Sequence, residues 1–406
     1  MKIRKLELRN YKIFRDVAFD FTDNQNNTQP VIVLAGVNGS GKTTILELIK
    51  DLLSGNTLEE INPDFELLAE LDLNHLKWAD VFLSELMYRK RELQSTLQHK
   101  NGILNLHFKQ KKRPLRSFSD FQVLMEVYNL VRKAEKDKSC FVYRYSQDKV
   151  KGRKSKNVSE SFHEISFNTH KEKMKDLILK PINQLMFKNR DIPPKQVIEN
   201  EIYAINSIFE GLHLNTKLVD IEAEELIFSN VNQQRVLFEN LSSGEKLIYF
   251  MGFYLNKLTI NQSVILVDEP EDSLHPSWQK QIIKFYTRIG NSNQVIVATH
   301  SPFVIGAVNA NFVYLLKFEN EKVIVSQPKY SKGHSIPYVL SEIMETDYRD
   351  TYISTLTEEY LMLIRENKQD SERGLELWKS LSDLDPNSEE RMRIDFSIRR
   401  MKATGK

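Results

Sequence analysis

Three short runs made up wholly of aliphatic residues mark the chain: Val31-Ile-Val-Leu-Ala35, Val264-Ile-Leu-Val267 and Val295-Ile-Val-Ala298. Short uninterrupted runs of this kind predict central parallel strands covered on both faces. Each ends abruptly in polar residues: Gly36 and the glycine-rich stretch after it, Asp268-Glu269-Pro270, and Thr299-His300-Ser301-Pro302. Further strands are predicted over residues 2–8 and 17–21, with a polar loop over 22–29, and over 103–108, 141–145, 216–221, 225–228 and 235–238. Helix is predicted after the glycine-rich stretch, over 65–100 and 118–137, and over 171–210 with a break at Asp191-Ile-Pro-Pro194. From about residue 331 the pattern is helical again, with Ile353, Leu356, Tyr360 and Leu363 on one face and a second helix over 372–381. The expected architecture is α/β in four parts: a lobe over 1–54, an inserted and mostly helical region over 55–210, a second lobe over 211–330, and a helical tail over 331–406.

The stretch Gly36-Val-Asn-Gly-Ser-Gly-Lys-Thr43 sits between a buried strand and a helix, the setting of a P-loop. Gly36, Gly39 and Gly41 let the backbone turn with its N–H groups inward, where a Cβ would obstruct. With Asn38, Ser40 and Thr44 they form the cradle for a triphosphate. Lys42 reaches the β- and γ-phosphates, Thr43 offers a hydroxyl to Mg²⁺, and the helix N-terminus faces the anion. The reading is a site for ATP or GTP.

Asp268, at the end of an apolar strand, can hold the Mg²⁺ hydration shell opposite Thr43, and Glu269 beside it can orient and deprotonate the attacking water. His300 ends another such strand, within reach of a γ-phosphate or its water. Leu241-Ser-Ser-Gly-Glu245 opens a helix, so Ser242, Ser243, Gly244 and Glu245 form a second N-terminal anion site. The same four residues also read as an ordinary serine N-cap with a capping box. One chain has no evident need for two such sites on one phosphate, so the second is assigned to the ATP of another copy.

Composition adds one fact that the net charge of +2 conceals. Residues 89–156 hold 19 Lys/Arg against 6 Asp/Glu, while the rest of the chain holds 38 against 49. A basic block of this density attracts a polyanion, so nucleic acid is expected there, unless the block is only a solvated helical face. Cys140 is the only cysteine, which excludes an internal disulfide and a cysteine-based zinc cluster. No apolar run approaches the ~18 residues that span a bilayer and the first residues lack a secretory apolar core. A soluble, cytoplasmic protein without membrane contact is expected.

Taken together, P-loop, Leu-Ser-Ser-Gly-Glu, strand with Asp268-Glu269, Glu271-Asp-Ser-Leu-His-Pro276 and His300 resemble the ATP-binding cassette (ABC) ATPases over residues 1–54 and about 214–305. The resemblance implies an ABC-type P-loop NTPase head that uses ATP and Mg²⁺. It implies two heads sandwiching two ATPs, with Ser242 and Gly244 of one chain facing the γ-phosphate held by Lys42 and Thr43 of the other. The long separation of Lys42 from Ser242 and the histidine at 275 in place of an aspartate resemble the RecF, SMC and OLD-type heads that work on DNA. Gln98, Gln110 and Gln147 are the candidates for the family's Q-loop glutamine. After His300 there is no Glu-Gly pair, and Asp383-Leu-Asp385 follows a helical pattern, so no nuclease domain of the OLD kind is expected. The insert and the tail, with Gly333-His-Ser-Ile-Pro-Tyr338, are similar to PtuA-type ATPases of Septu and retron anti-phage systems. That similarity implies a homodimer or higher oligomer, a separate HNH nuclease as partner, and the tail as its docking side. A RecF-like repair accessory is the alternative, and a transporter ATPase subunit the remote one.

Overall fold

The three apolar runs lie side by side. Strand β3 (Val31–Ala35) pairs in parallel with β13 (Gln294–Thr299), and β13 with β12 (Val264–Asp268); every residue of the three is buried. β14 (Val313–Glu319) flanks β3 in parallel and turns back into antiparallel β15 (Lys322–Ser326). Asn320 and Glu321 between them both occupy the left-handed region, with φ of 48° and 61°, as a two-residue hairpin requires. On the other side β12 pairs in parallel with β7 (Phe141–Arg144), and β7 with β8 (Phe162–Ile165). The seven-stranded order is β15-β14-β3-β13-β12-β7-β8. Because β3, β12 and β13 run the same way, the glycine-rich loop, Asp268-Glu269 and His300 leave the sheet at one edge.

The computed structural model describes residues 2–54, 64–72, 97–100, 103–110, 141–144, 162–165, 174–188, 191–222, 225–258, 260–346 and 351–404. They divide into two units, Met1–Val339 and Leu340–Lys406. The helices expected over 73–96 and 118–137, the basic loop at 149–156, Cys140 and Gln147 lie outside the described residues.

One expectation is corrected. Residues 64–72 and 97–100 are strands, not helix: β4 (Asp64–Asp72) and β5 (Leu97–Lys100) join β1 (Lys2–Tyr11), β2 (Phe14–Asp20) and β6 (Ile103–Gln110) in an antiparallel sheet of order β2-β1-β4-β6-β5. Leu, Glu and Ala favour helix in isolation, but Phe65, Leu67, Ala69 and Leu71 alternate with period two. The register sets Leu67 opposite Leu6 and Phe65 opposite Leu8. Tertiary pairing therefore overrides local propensity. Gln98 and Gln110 belong to β5 and β6.

Helix α1 (Lys42–Ser54) follows the glycine-rich loop. The expected break appears between α2 (Met174–Lys188) and α3 (Pro194–Ile208), with Pro194 at the first helical position, where its missing N–H costs nothing. β9 (Thr216–Glu222), β10 (Glu225–Asn230) and β11 (Arg235–Leu237) form a three-stranded antiparallel sheet leading into α4 (Ser243–Leu258). Short helices α5 (Pro276–Gln279), α6 (Ile282–Arg288) and α7 (Pro302–Ile305) follow β12 and β13. The second unit contains α8 (Thr351–Arg365), α9 (Glu372–Leu381) and a further helix, α10 (Glu389–Thr404). Asp383-Leu-Asp385 lies beyond the end of α9. Among the described residues, no helix is long and apolar enough to cross a membrane.

Candidate active site

The glycine-rich loop is shaped as the sequence requires. Gly36, Gly39 and Gly41 have φ of 154°, 82° and 97°. A Cβ on Gly36 would stand 2.4 Å from the carbonyl oxygen of Leu316 on β14, and one on Gly41 2.5 Å from the ring of Phe14. The loop thus closes against two strands, and only hydrogen fits at those two contacts. Lys42 is buried, and its ammonium donates to the carbonyls of Gly36 (2.8 Å) and Val37 (3.0 Å). Burial pushes its pKa down, against the upward pull of Glu269, Asp268 and Glu271.

Thr43 and Asp268, 225 residues apart, meet here: the threonine hydroxyl lies 3.1 Å from both carboxylate oxygens. Burial raises the Asp268 pKa to about 6, opposed chiefly by that hydrogen bond. Glu269 follows in the left-handed region at φ 46°, its N–H donating to the carbonyl of Ala298 on the neighbouring strand (2.8 Å). His300 Nδ1 is 3.4 Å from Glu269 Oε1 and 3.7 Å from Glu271 Oε1. Lys42, Thr43, Asp268, Glu269 and His300, spread over three strand ends, therefore form one cluster.

The pieces fit a magnesium–nucleotide. Thr43 and Asp268 present oxygen ligands of the kind Mg²⁺ takes, with water completing its shell. Ser40 Oγ is buried inside the loop with no hydrogen-bond partner, an acceptor and donor held ready for a bound group. The Gly36 and Gly41 contacts hold the loop against β14 and β2, whereas a Cβ on Gly39 would stand in open space. Among the described residues, no group of three or more His, Cys, Asp or Glu is placed to hold a metal ion, so a cation here would rest on the Thr43–Asp268 pair, phosphate and water.

Ser242, Ser243, Gly244 and Glu245 form a separate group. Ser242 and Glu245 make a reciprocal capping box: Glu245 N–H donates to Ser242 Oγ (3.3 Å), while Ser242 N–H (3.3 Å) and Oγ–H (2.7 Å) donate to Glu245 Oε2. The other oxygen of Glu245 accepts from Thr216 on β9 (2.8 Å). The buried carboxylate is thus committed to holding the helix start. Gly244 packs on the segment after Glu269, where the carbonyl of Ser273 and the ring of Trp278 approach it. Among the described residues, no hydrogen bond or ion pair joins this group to Lys42 or Thr43 of the same chain.

Three residues were missed as parts of the site. Glu271 is buried and accepts from Thr299 Oγ1 and from the N–H groups of His300 and Ser301. Ser301 Oγ in turn pairs with Gln279 Oε1 (2.7 Å). An acid two residues beyond Glu269, and hydroxyls on both sides of His300, were the available signal.

The family model AAA_21, described as "AAA domain, putative AbiEii toxin, Type IV TA system", matches residues 31–306. The chain is similar to the Septu protein PtuA of Bacillus mycoides, 23% identical over 94% of this chain and 50% of that protein. It is equally similar, at 23%, to the retron Vc95 probable ATPase of Vibrio cholerae, over 94% of this chain and 87% of that one. It thus spans half the length of the first relative and most of the second. Among solved structures, the SMC head domain of Thermotoga maritima aligns with 81% of this chain and all of its own at 16% identity and a TM-score of 0.44.

Proposed function

The chain belongs to the AAA_21 family, and from that premise we propose that it is an ATP-hydrolysing head of an anti-phage defence system, in which ATP pairs two copies and so gates nucleic acid and a separate nuclease. The observation that carries the reading is the convergence of Lys42, Thr43, Asp268, Glu269 and His300 at one sheet edge. The names of its relatives, a Septu protein and a retron ATPase, support the biological setting.

In this reading Lys42 exchanges the Gly36 and Val37 carbonyls for the β- and γ-phosphates, a charge-assisted exchange that favours the anion. Thr43 and Asp268 would hold Mg²⁺, which supplies charge neutralisation on the phosphates. Glu269 orients the attacking water and takes its proton, and His300, with Nδ1 3.4 Å from Glu269 Oε1, aligns with the γ-phosphate or that water. Ser242 and Gly244 complete the phosphate site of a second copy, since they stand apart from the chain's own P-loop. Residues 89–156 contact nucleic acid through their positive charge, and the tail from about residue 331 docks an HNH-type nuclease.

Sedimentation with ATP tests the pairing. Glu269→Gln removes the base while leaving the Thr43–Asp268 pair, so ATP should bind, remain unhydrolysed and shift the protein to a larger species. Only the nucleotide-free species in the presence of ATP would sink the proposal. The nucleic-acid element is tested by affinity against salt: a log–log slope of about −1 per neutralised phosphate is expected, and a flat profile refutes it.

A further inference from the structure

The hydrolysis just described uses Glu269 and His300 and leaves Glu271 without a task. Its carboxylate is unusually placed. Oε1 accepts three donors from successive residues at the end of β13: Thr299 Oγ1–H, His300 N–H at 3.1 Å and Ser301 N–H at 3.1 Å. The same oxygen lies 3.7 Å from His300 Nδ1. Oε2 is buried with no hydrogen-bond partner.

A brace alone does not need this charge. A neutral amide oxygen would accept the same three donors without the cost of burying a carboxylate whose second oxygen is unpaired. Among the groups contacting Glu271 Oε1, the His300 ring is the one whose hydrogen position depends on a neighbouring acceptor. Its Nδ1 faces two carboxylate oxygens, at 3.4 Å from Glu269 and 3.7 Å from Glu271. Acceptors on that side favour the hydrogen on Nδ1 and leave Nε2 as the nitrogen presented elsewhere, since the partner of one ring nitrogen sets the role of the other. Glu269 is committed to water in the proposed reaction, so it cannot hold the ring throughout. Glu271 can, because its own position is fixed by three hydrogen bonds to the loop that carries the histidine.

We propose that Glu271 is a positioning residue that locks the 299–301 turn and the Nδ1–H form of His300, so that Nε2 is left as an acceptor for the attacking water. Its catalytic consequence rests on the ATPase reading; the state of the ring does not. Glu271→Gln is the informative variant, because it retains an acceptor for the turn while it removes the charge and sets an amide NH2 in place of the unpartnered Oε2. The variant should keep its melting temperature within a few degrees and bind ATP as the wild type does, while kcat falls about tenfold, the scale for loss of one outer partner. In a His300→Ala background the same substitution should have no further effect, as expected for two residues acting as a unit. Turnover like wild type in Glu271→Gln, or a loss undiminished without His300, would overturn the proposal. Independently of hydrolysis, ¹⁵N chemical shifts of the His300 ring should report hydrogen on Nδ1 in the wild type and a shift toward the Nε2–H form in Glu271→Gln. A wild-type ring carrying its hydrogen on Nε2 refutes the assignment, whereas a wild type that hydrolyses no ATP refutes the ATPase reading and leaves the ring measurement to decide this one.

Discussion

Gly244 lies against the backbone carbonyl of Ser273 so closely that a Cβ on the glycine would stand 2.6 Å from that oxygen. Ser273 itself is in the left-handed region at φ 61°, which turns its carbonyl toward the start of α4. The glycine is therefore required for packing within the chain, whatever it does for a second copy. Gly244→Ala should destabilise the first unit by about 1–3 kcal/mol, the range for overpacking a close contact. Urea denaturation measures it, and an unchanged midpoint would show that the segment can retreat.

Lys42 makes a different prediction, because its charge is buried but satisfied by two carbonyls. Lys42→Ala removes that charge together with its desolvation cost, so the fold should survive with little change in melting temperature. ATP affinity should fall about 100-fold, corresponding to about 3 kcal/mol for lost hydrogen bonds to a charged group. Titration with a fluorescent ATP analogue reads the affinity directly. Wild-type affinity would remove Lys42 from the phosphate site.

Much of the site was legible because its residues sit at ends of uninterrupted apolar strands, where periodicity and motif agree. Asp268, Glu269 and His300 could be placed at one edge from β12 and β13 alone. The strand β4 was not legible by composition, since Leu, Glu and Ala are helix formers and only the alternation of Phe65, Leu67, Ala69 and Leu71 pointed to the sheet. Helix α10 lay within the expected helical tail but was not delimited, because it is polar; Ser388 accepts from Arg391 N–H, Glu389 and Glu390 occupy its first turn and Lys402 its last, signals that do not depend on hydrophobic pattern. The β14–β15 hairpin was also missed although Phe312-Val-Tyr-Leu-Leu316 is an uninterrupted apolar run, and with it the packing reason for Gly36, which rests on a contact to Leu316 280 positions away. Glu271 was visible as a residue but not as a role; that depended on three donors converging from β13.

Glu269 carries backbone strain at the point where water would be activated. A non-glycine residue at φ 46° costs about 1–2 kcal/mol, and glycine there returns part of that through greater freedom of the unfolded chain. Glu269→Gly should therefore leave stability unchanged or raise it by up to about 1 kcal/mol while abolishing hydrolysis. Paired denaturation and phosphate-release measurements test this. A loss of stability greater than about 1 kcal/mol would mean that contacts of the glutamate side chain outweigh its strain.

The second unit rests on a small core of its own, so a single truncation should be felt throughout it. Leu356, Tyr360, Leu361, Ile364, Leu377, Leu381 and Ile394 are buried together. Tyr360 stacks on Trp378 with ring centroids 5.6 Å apart, and the Arg391 guanidinium lies 4.5 Å from the Trp378 ring centroid. Leu381→Ala leaves a cavity costing about 2–5 kcal/mol, a large fraction of what so small a unit can hold. Hydrogen exchange should lose protection across residues 351–404 while protection of β3, β12 and β13, and ATP affinity, remain as in the wild type. Loss spreading into those strands would show that the two units unfold as one, and full protection of 351–404 would show that α8 and α9 close over the gap.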